Sequence, residues 1–378
     1  MLFKSSSGDI TEKKILAALS YVDDPDLKRD LVSLGMIRDI RIAGKKISFT
    51  VMLTTPACPM KEAIRQACLN AIKMMVDKEA EVDILMSAQV QADQQNQALP
   101  QVRNVIAISS GKGGVGKSTV AANLAVALAR TGARVGLVDA DIYGPSVPIL
   151  FGFEGERPQM ETVEGRDMLV PYERHGVKLM SIGVLVRPDQ AIVWRGPMAS
   201  KALRQLIFDT HWGEIDYLIL DMPPGTGDLH LTLVQALPVT GAIVVTTPQK
   251  LAVADAHKGA DMFRNPQIGV PLLGVIENMA WFVPDDMPEK QYFVFGKGGG
   301  ERLAQALNIP LLGSIPLREG IMQHADQGSP SSVQDDPVLG PVFMTLAQRV
   351  AQQVSIRNAH QPASTPVQTS LTPGLNRG

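Results

Sequence analysis

Beyond residue 100 the chain alternates short apolar runs with longer helical patterns. Residues 105–108, 135–138, 217–220, 242–246, 272–276 and 311–315 are nearly continuous Val, Ile, Leu and Ala. Such runs lack the strict alternation of a half-exposed strand, and they predict strands buried on two sides. Residues 119–130 are rich in Ala and Leu with Gly132 just beyond as a stop signal, a helix placed between the first two runs. The alternation predicts an α/β domain whose mostly parallel sheet is covered by helices on both faces. A last helix over 341–356 gathers Val342, Leu346, Val350 and Val354 on one side. Its other side has no dense basic stripe, so packing on the sheet is expected rather than docking on a membrane.

Ahead of this region the pattern changes. Residues 10–21 have helical spacing, and residues 37–42 and 47–53 flank an Ala43-Gly44-Lys45 turn as a hairpin. Ile47, Phe49, Val51 and Leu53 alternate with Ser48, Thr50 and Met52, the period of a half-buried strand. A helix over 59–76 and a strand near 82–85 complete a small α+β domain over 1–87. The Gln-rich stretch 88–103 has no apolar period and reads as a linker. The larger α/β domain then occupies 104–356. The tail 357–378, rich in Pro, Ser, Thr and Gln, is expected to be disordered.

Between the first strand and first helix of the larger domain lies Gly111-Lys112-Gly113-Gly114-Val115-Gly116-Lys117-Ser118, followed by Thr119. It fits G-x-x-x-x-G-K-[ST] at every fixed position, in the strand–loop–helix setting the motif requires. Glycines let backbone N–H groups close on phosphate oxygens, and the helix N-terminus adds its dipole. Lys117 is placed to reach the β- and γ-phosphates, Ser118 to ligate Mg²⁺, and Thr119 to contact the α-phosphate. ATP and Mg²⁺ are the expected cofactors.

Two strands end in acids. The run at 135–138 leads into Asp139-Ala140-Asp141, and that at 217–220 into Asp221, followed by Gly225, Gly227 and Asp228. Ligands of parallel sheets bind at this carboxyl edge. Asp221 reads as the carboxylate that polarises the Mg²⁺ shell, Asp139 as a support to the metal through water, and Asp141 as the group orienting the attacking water. The Gly225–Gly227 segment can respond when the γ-phosphate leaves.

Composition narrows the class. Of 378 residues, 45% are hydrophobic, and 36 basic against 38 acidic side chains give a net charge of -2. That balance offers no electrostatic footprint for nucleic acid. No window approaches a membrane span, and neither nucleic acid nor stable membrane association is expected. The N-terminus lacks the apolar core of a signal peptide, and Cys58 and Cys68 are the two cysteines; a cytoplasmic location follows. The six histidines show no metal-ligand spacing.

With these segments in view, the second lysine of the loop, Lys112, becomes informative. The sequence resembles the deviant Walker A ATPases, and Trp194-Arg195-Gly196-Pro197-Met198, Glu277-Asn278-Met279 and Phe295-Gly296-Lys297-Gly298-Gly299-Gly300 sharpen the likeness to their Mrp branch, the iron-sulfur cluster carriers. The resemblance covers about residues 99–354. It implies a homodimer in which Lys112 reaches the partner's phosphates and, with Lys117 and Asp141, carries catalysis. It also implies that Asn278 faces the adenine base. The N-terminal region, with Asp24-Pro25-Asp26-Leu27 and Thr54-Thr55-Pro56-Ala57-Cys58-Pro59, is similar to a small domain of iron-sulfur assembly factors. Client apoproteins and assembly factors are the implied partners.

One departure stands out. The family usually carries Cys-x-x-Cys shortly after Glu-Asn-Met, whereas this chain reads Trp281-Phe282-Val283-Pro284-Asp285-Asp286-Met287-Pro288. Aspartates are poor substitutes for thiolates toward an iron-sulfur cluster. Cys58 is the replacement candidate, because Pro59 suits the first position of a helix whose N-terminus would lower the thiol pKa. Cys68 falls on one helical face with Ile64, Ala71, Ile72 and Met75 and reads as core; Met74-Met75 also reads as helix packing, and Trp281 with Phe282 as an apolar patch. The expected function is an ATP-hydrolysing dimeric carrier of iron-sulfur clusters. A nucleotide-gated adaptor that binds no cluster is the alternative, with a spatial-organising membrane or nucleoid ATPase behind it.

Overall fold

The computed structural model describes residues 10–92, 98–185, 196–284, 286–287 and 289–360. Its contacts divide the chain into two compact units. The smaller comprises the chain through Gln91, residues Thr131–Ala133 and the part of the C-terminal helix from Gln348; the larger comprises the remainder.

In the smaller unit, α1 (Glu12–Leu19) begins where the Thr11 hydroxyl accepts the Lys14 amide at 3.4 Å, and it buries Ile15, Ala18 and Leu19. Two short strands, β1 (Asp23–Asp24) and β2 (Arg29–Asp30), pair antiparallel. The hairpin of β3 (Ile37–Ala43) and β4 (Lys46–Leu53) turns at Gly44, whose φ of +64° suits glycine. On β4 the alternating Ile47, Phe49, Val51 and Leu53 are all buried. Helix α2 (Lys61–Met75) crosses over to β5 (Glu81–Ala88), which therefore pairs parallel to β4 and extends beyond the expected 82–85.

Two expectations for α2 are corrected. The helix starts at Lys61 with Met60 as its N-cap, so Pro59 lies ahead of the first turn. Its buried residues are Ile64, Cys68 and Ile72, while Met74 and Met75, in the last turn, are exposed.

The larger unit runs β6 (Val105–Ser110), α3 (Lys117–Arg130), β7 (Val135–Asp139) and the short α4 (Val147–Leu150). A hairpin of β8 (Met160–Val163) and β9 (Arg166–Leu169) follows, then β10 (Tyr172–Arg174), β11 (Val177–Ser181), α5 (Gly196–Phe208), β12 (Tyr217–Asp221) and α6 (Asp228–Ala236). The remainder is β13 (Gly241–Thr246), α7 (Lys250–Arg264), β14 (Leu272–Glu277), α8 (Gly299–Leu307), β15 (Leu311–Ser314), α9 (Glu319–Asp326) and α10 (Leu339–His360). The last helix extends past residue 356, so residues 357–360, expected in the tail, are helical.

One sheet has the order β10-β11-β7-β12-β6-β13-β14-β15, with β10 antiparallel to β11 and every other neighbour parallel. Strands β6, β7, β12 and β13 are buried at every position, which requires cover on both faces. Helix α3 packs on β7 and β12, α7 on β13 and α8 on β14. A core that joins α5, α6 and α7 to the sheet includes Ala107, Val138, Met180, Leu206, Trp212, Leu218, Leu220 and Phe263. At the opposite edge from the site, Arg134 donates to Asp216 through Nε at 3.2 Å and Nη2 at 3.0 Å, tying the start of β7 to that of β12.

Central β6 sends the chain outward to β7 on one side and receives β13 on the other. A crevice therefore opens beyond its carboxyl end, as at other topological switch points of parallel sheets. None of the described helices is long and apolar enough to cross a membrane.

Candidate functional site

The glycine loop leaves β6 at Ser110 and enters α3 at Lys117. Two of its glycines are forced by close approach. A Cβ at Gly111 would stand 2.0 Å from the Asp255 carbonyl carbon of α7, and one at Gly116 would stand 2.2 Å from Asn278 Nδ2. Gly114 and Gly116 both have φ +81°. Val115 is buried, and the Ser110 hydroxyl donates to the Lys112 carbonyl at 3.0 Å, closing the turn.

Lys117 is 6% exposed, a rare setting for an ammonium. Its Nζ donates to Asp221 Oδ1 at 2.5 Å and to Ser118 Oγ at 3.2 Å, and lies 3.8 Å from Asp141 Oδ2. Three expected site residues from the ends of different elements thus converge on one cation. Asp221 Oδ2 and Asp141 Oδ1 are buried with no hydrogen-bond partner among the described residues. Burial raises the Asp141 pKa, Lys117 opposes that, and the Asp221 charge adds to it. Thr119 lies half-buried on the first turn of α3, its carbonyl accepting from Asn123 Nδ2 at 2.9 Å. Lys112 is half-buried and makes no ion pair among the described residues.

Asp139, expected to support the metal through water, ends β7. It is fully buried; Oδ2 accepts from the Ser146 and Val147 amides at 3.0 Å each and from Ser181 Oγ at 2.9 Å, while Oδ1 accepts from the Asp141 amide at 3.2 Å. These donors occupy the carboxylate and make it the holder of the 141–147 turn. Burial pushes its pKa up, and the neighbouring Asp221 charge reinforces the shift. Ser181, which supplies one of the donors, comes from β11 and had no local sequence signal.

The segment after Asp221 crosses the crevice. The Met222 amide donates to Ile108 at 3.1 Å and the Gly225 amide to Ser110 at 2.9 Å, with Gly225 at φ +89°. Beneath it lies His230, 1% exposed, its Nε2 without a partner among the described residues. Burial drives its pKa down to about 4, against the opposing influence of the Pro223 and Gly227 backbone. Sequence spacing gave it no role, although it stands three residues past Gly227, whose carbonyl accepts its amide at 3.0 Å.

Asn278 is buried against the loop. Its Nδ2 donates to the Val115 carbonyl at 2.9 Å and its own amide to Thr246 at 2.8 Å. Trp194 and Arg195 of the quoted motif, and Asp285 and Pro288 of the segment after Asn278, lie outside the described residues. Trp281 and Phe282 are half-buried, and the Phe282 backbone bridges to Tyr292 and Leu317; Met287, Tyr292, Phe293 and Val294 are exposed.

The smaller unit holds both cysteines. Cys58 is half-buried in the turn before α2. The expected lowering of its pKa is reversed: burial raises it, the amides of Met60 and Lys61 lower it, and the charges of Asp26 and Asp24 raise it further. Desolvation of a thiolate outweighs the amides of an incomplete first turn. Cys68 is fully buried and its pKa is pushed up to about 12. No group of three or more His, Cys, Asp or Glu among the described residues could hold a metal ion.

Residues 101–353 match the family described as NUBPL iron-transfer P-loop NTPase, and residues 12–84 match the iron-sulfur cluster assembly protein family. The chain is 47% identical over 351 residues to an iron-sulfur cluster carrier protein of Synechocystis, covering 92% of this chain and 99% of that one. It is 46% identical over 355 residues to the iron-sulfur cluster carrier protein of Deinococcus radiodurans, covering 93% and 99%. Among solved structures, a nucleotide-binding protein from Archaeoglobus fulgidus in complex with ADP is 36% identical with a TM-score of 0.55, over 64% of this chain and 92% of that one. The chain belongs to the iron-transfer branch of the P-loop NTPases, with an iron-sulfur assembly domain at its N-terminal end.

Proposed function

We propose that this protein is a MgATP-hydrolysing, homodimeric carrier that delivers iron-sulfur clusters to apoproteins. The observation that carries the reading is the buried Lys117, held between Asp221 and Asp141 at the mouth of the glycine loop. A cation so enclosed suits phosphate oxygens, and the carboxylate beside it is the internal stand-in for them.

Lys117 would turn from Asp221 to the β- and γ-phosphates of ATP. Ser118 Oγ and Asp221 Oδ2, which has no partner among the described residues, would hold Mg²⁺. When bound, that ion neutralises charge on the β- and γ-oxygens. Asp141, whose Oδ1 has no partner among the described residues, orients the attacking water, while Asp139 holds the 141–147 turn that carries Asp141. Gly111, Gly113, Gly114 and Gly116 leave the loop amides open to phosphate, and Thr119 stands at the α-phosphate end. Lys112, without an ion pair among the described residues, would serve the partner subunit's nucleotide, and Asn278 would meet the adenine base.

The cluster is cargo. The relatives of Synechocystis and Deinococcus are named for carrying it, and the assembly-type domain supports the same role here. Cys58 is the candidate protein thiolate, and metal binding must draw off its proton. Replacement of the usual Cys-x-x-Cys by residues 281–288 favours a second reading, an adaptor gated by nucleotide that binds no cluster.

Titration with MgATP, hydrolysis assays and anaerobic reconstitution with iron counting test these readings together. The expected results are ATP binding lost in Lys117→Ala, hydrolysis and ATP-dependent self-association lost in Lys112→Ala with binding retained, and a reconstituted cluster transferable to an apoprotein. A protein that hydrolyses ATP but takes up no iron is the adaptor; one that neither binds nor hydrolyses ATP overturns both.

A further inference from the structure

Asn278 Nδ2 stands 2.9 Å from the Val115 carbonyl oxygen. The flipped amide would place two acceptor oxygens against each other, so the amide flip is settled by that carbonyl. Oδ1 then makes no hydrogen bond among the described residues, and the second Nδ2 hydrogen is unused. An amide held this way offers one acceptor and one donor side by side. They match the N6 amine and N7 of an adenine, whereas guanine presents two acceptors, O6 and N7.

What holds Asn278 in place is the residue before it. Glu277 is 5% exposed and ends β14. Its Oε1 accepts the Gly300 amide at 2.8 Å in the first turn of α8, where the helix dipole favours a carboxylate. Its Oε2 accepts from Ser314 Oγ at 3.4 Å on β15, and its carbonyl accepts the Ile315 amide at 2.8 Å. A Cβ at Gly300 would fall 2.7 Å from Glu277 Cβ, so the start of α8 is pressed directly on this residue, while one at Gly299 would fall 2.4 Å from the Pro248 carbonyl oxygen in the loop after β13. Met279, next along, has φ +53°, a sharp reversal that leaves little slack.

We propose that Glu277 is a positioning residue for base selection: by fastening the Glu277–Met279 turn to α8 and β15, it holds the Asn278 amide against the Val115 carbonyl, which sets the one flip that suits a 6-aminopurine. This rests on the reading of Asn278 as the base-facing residue. With the turn loosened, the amide can rotate and accept either purine.

The test is equilibrium binding of the Mg²⁺ complexes of ATP, GTP, inosine triphosphate and 7-deaza-ATP to the full chain, with tripolyphosphate as a probe lacking a base. The unaltered protein should favour ATP over GTP and inosine triphosphate by roughly tenfold to hundredfold, and 7-deaza-ATP should bind less tightly than ATP. Glu277→Ala should bring ATP and GTP within about threefold of each other while tripolyphosphate binding holds, because loss of positioning affects the base alone. Glu277→Gln, which retains an acceptor for Gly300, should preserve most of the preference.

A wild-type ATP-to-GTP ratio in Glu277→Ala overturns the proposal. If Asn278→Ala keeps that ratio, the base reading falls and this inference with it, while unchanged tripolyphosphate binding leaves the phosphate site standing. Should Glu277→Ala fail to fold, the nucleotide series decides on the intact protein: equal affinity for ATP and inosine triphosphate overturns the fixed flip.

Discussion

Lys117 Nζ and Asp221 Oδ1 meet at 2.5 Å with 6% and 0% of their side chains exposed, so the loop cation and the end of β12 form a closed ion pair. Removing one member leaves the other charged and buried. Lys117→Ala should therefore destabilise the nucleotide-free protein by about 3 kcal/mol or more, and Lys117→Ala with Asp221→Asn should recover much of that without restoring ATP binding. Urea denaturation with parallel nucleotide titration reads both effects. A Lys117→Ala protein as stable as its parent would show that the pair contributes nothing to the fold.

Gly111 and Gly113 should separate packing from flexibility. A methyl at 111 collides with the α7 backbone at 2.0 Å, whereas one at 113 meets nothing within 4 Å. Gly111→Ala should lower stability by about 2 kcal/mol or more, and Gly113→Ala should change it by less than about 1 kcal/mol. Thermal unfolding without nucleotide is the measurement; equal losses at the two sites would contradict the close approach of α7.

His230 should shape the acid limb of stability. Its folded pKa, about 4, lies below the unfolded 6.5, so the unfolded chain binds more protons between those values. The stability it contributes is fully present above pH 6.5 and is lost as pH falls toward 4, with a slope approaching about 1.4 kcal/mol per pH unit. His230→Gln should flatten that part of the profile. Denaturation midpoints from pH 7 to 4 that fall equally in both proteins would refute this.

The two thiols should differ in alkylation. Burial raises Cys58 above an ordinary thiol and pushes Cys68 to about 12. Iodoacetamide at pH 8 should label Cys58 more slowly than a free thiol and Cys68 only after unfolding, as followed by mass spectrometry. Rapid labelling of Cys58 at neutral pH would mean that its thiolate is stabilised after all.

Much of the site was legible because its signals are local. The glycine octapeptide needs eight adjacent positions between a strand and a helix, and Asp139, Asp141 and Asp221 follow apolar runs that end together in any parallel sheet. The antiparallel β10 and the β8–β9 hairpin were not legible, since residues 160–181 alternate too weakly to announce strands. Cys58 shows the limit of local reasoning. Proximity to a helix start argues for a low pKa, but the desolvation that reverses it comes from neighbours the turn itself does not name.

Chain chemistry alone determined the phosphate loop, the layered α/β architecture, the smaller α+β domain and the missing Cys-x-x-Cys, because period, glycine placement and residue type act over short spans. Tertiary structure decided which groups are already engaged. Asp139 is taken up by donors from residues 141–181, Lys117 by Asp221, the Asn278 amide by Val115, and Glu277 by Gly300 and Ser314. Those contacts join residues as many as 163 positions apart, and hydrogen-bond partners at that range are chosen by packing rather than by sequence pattern.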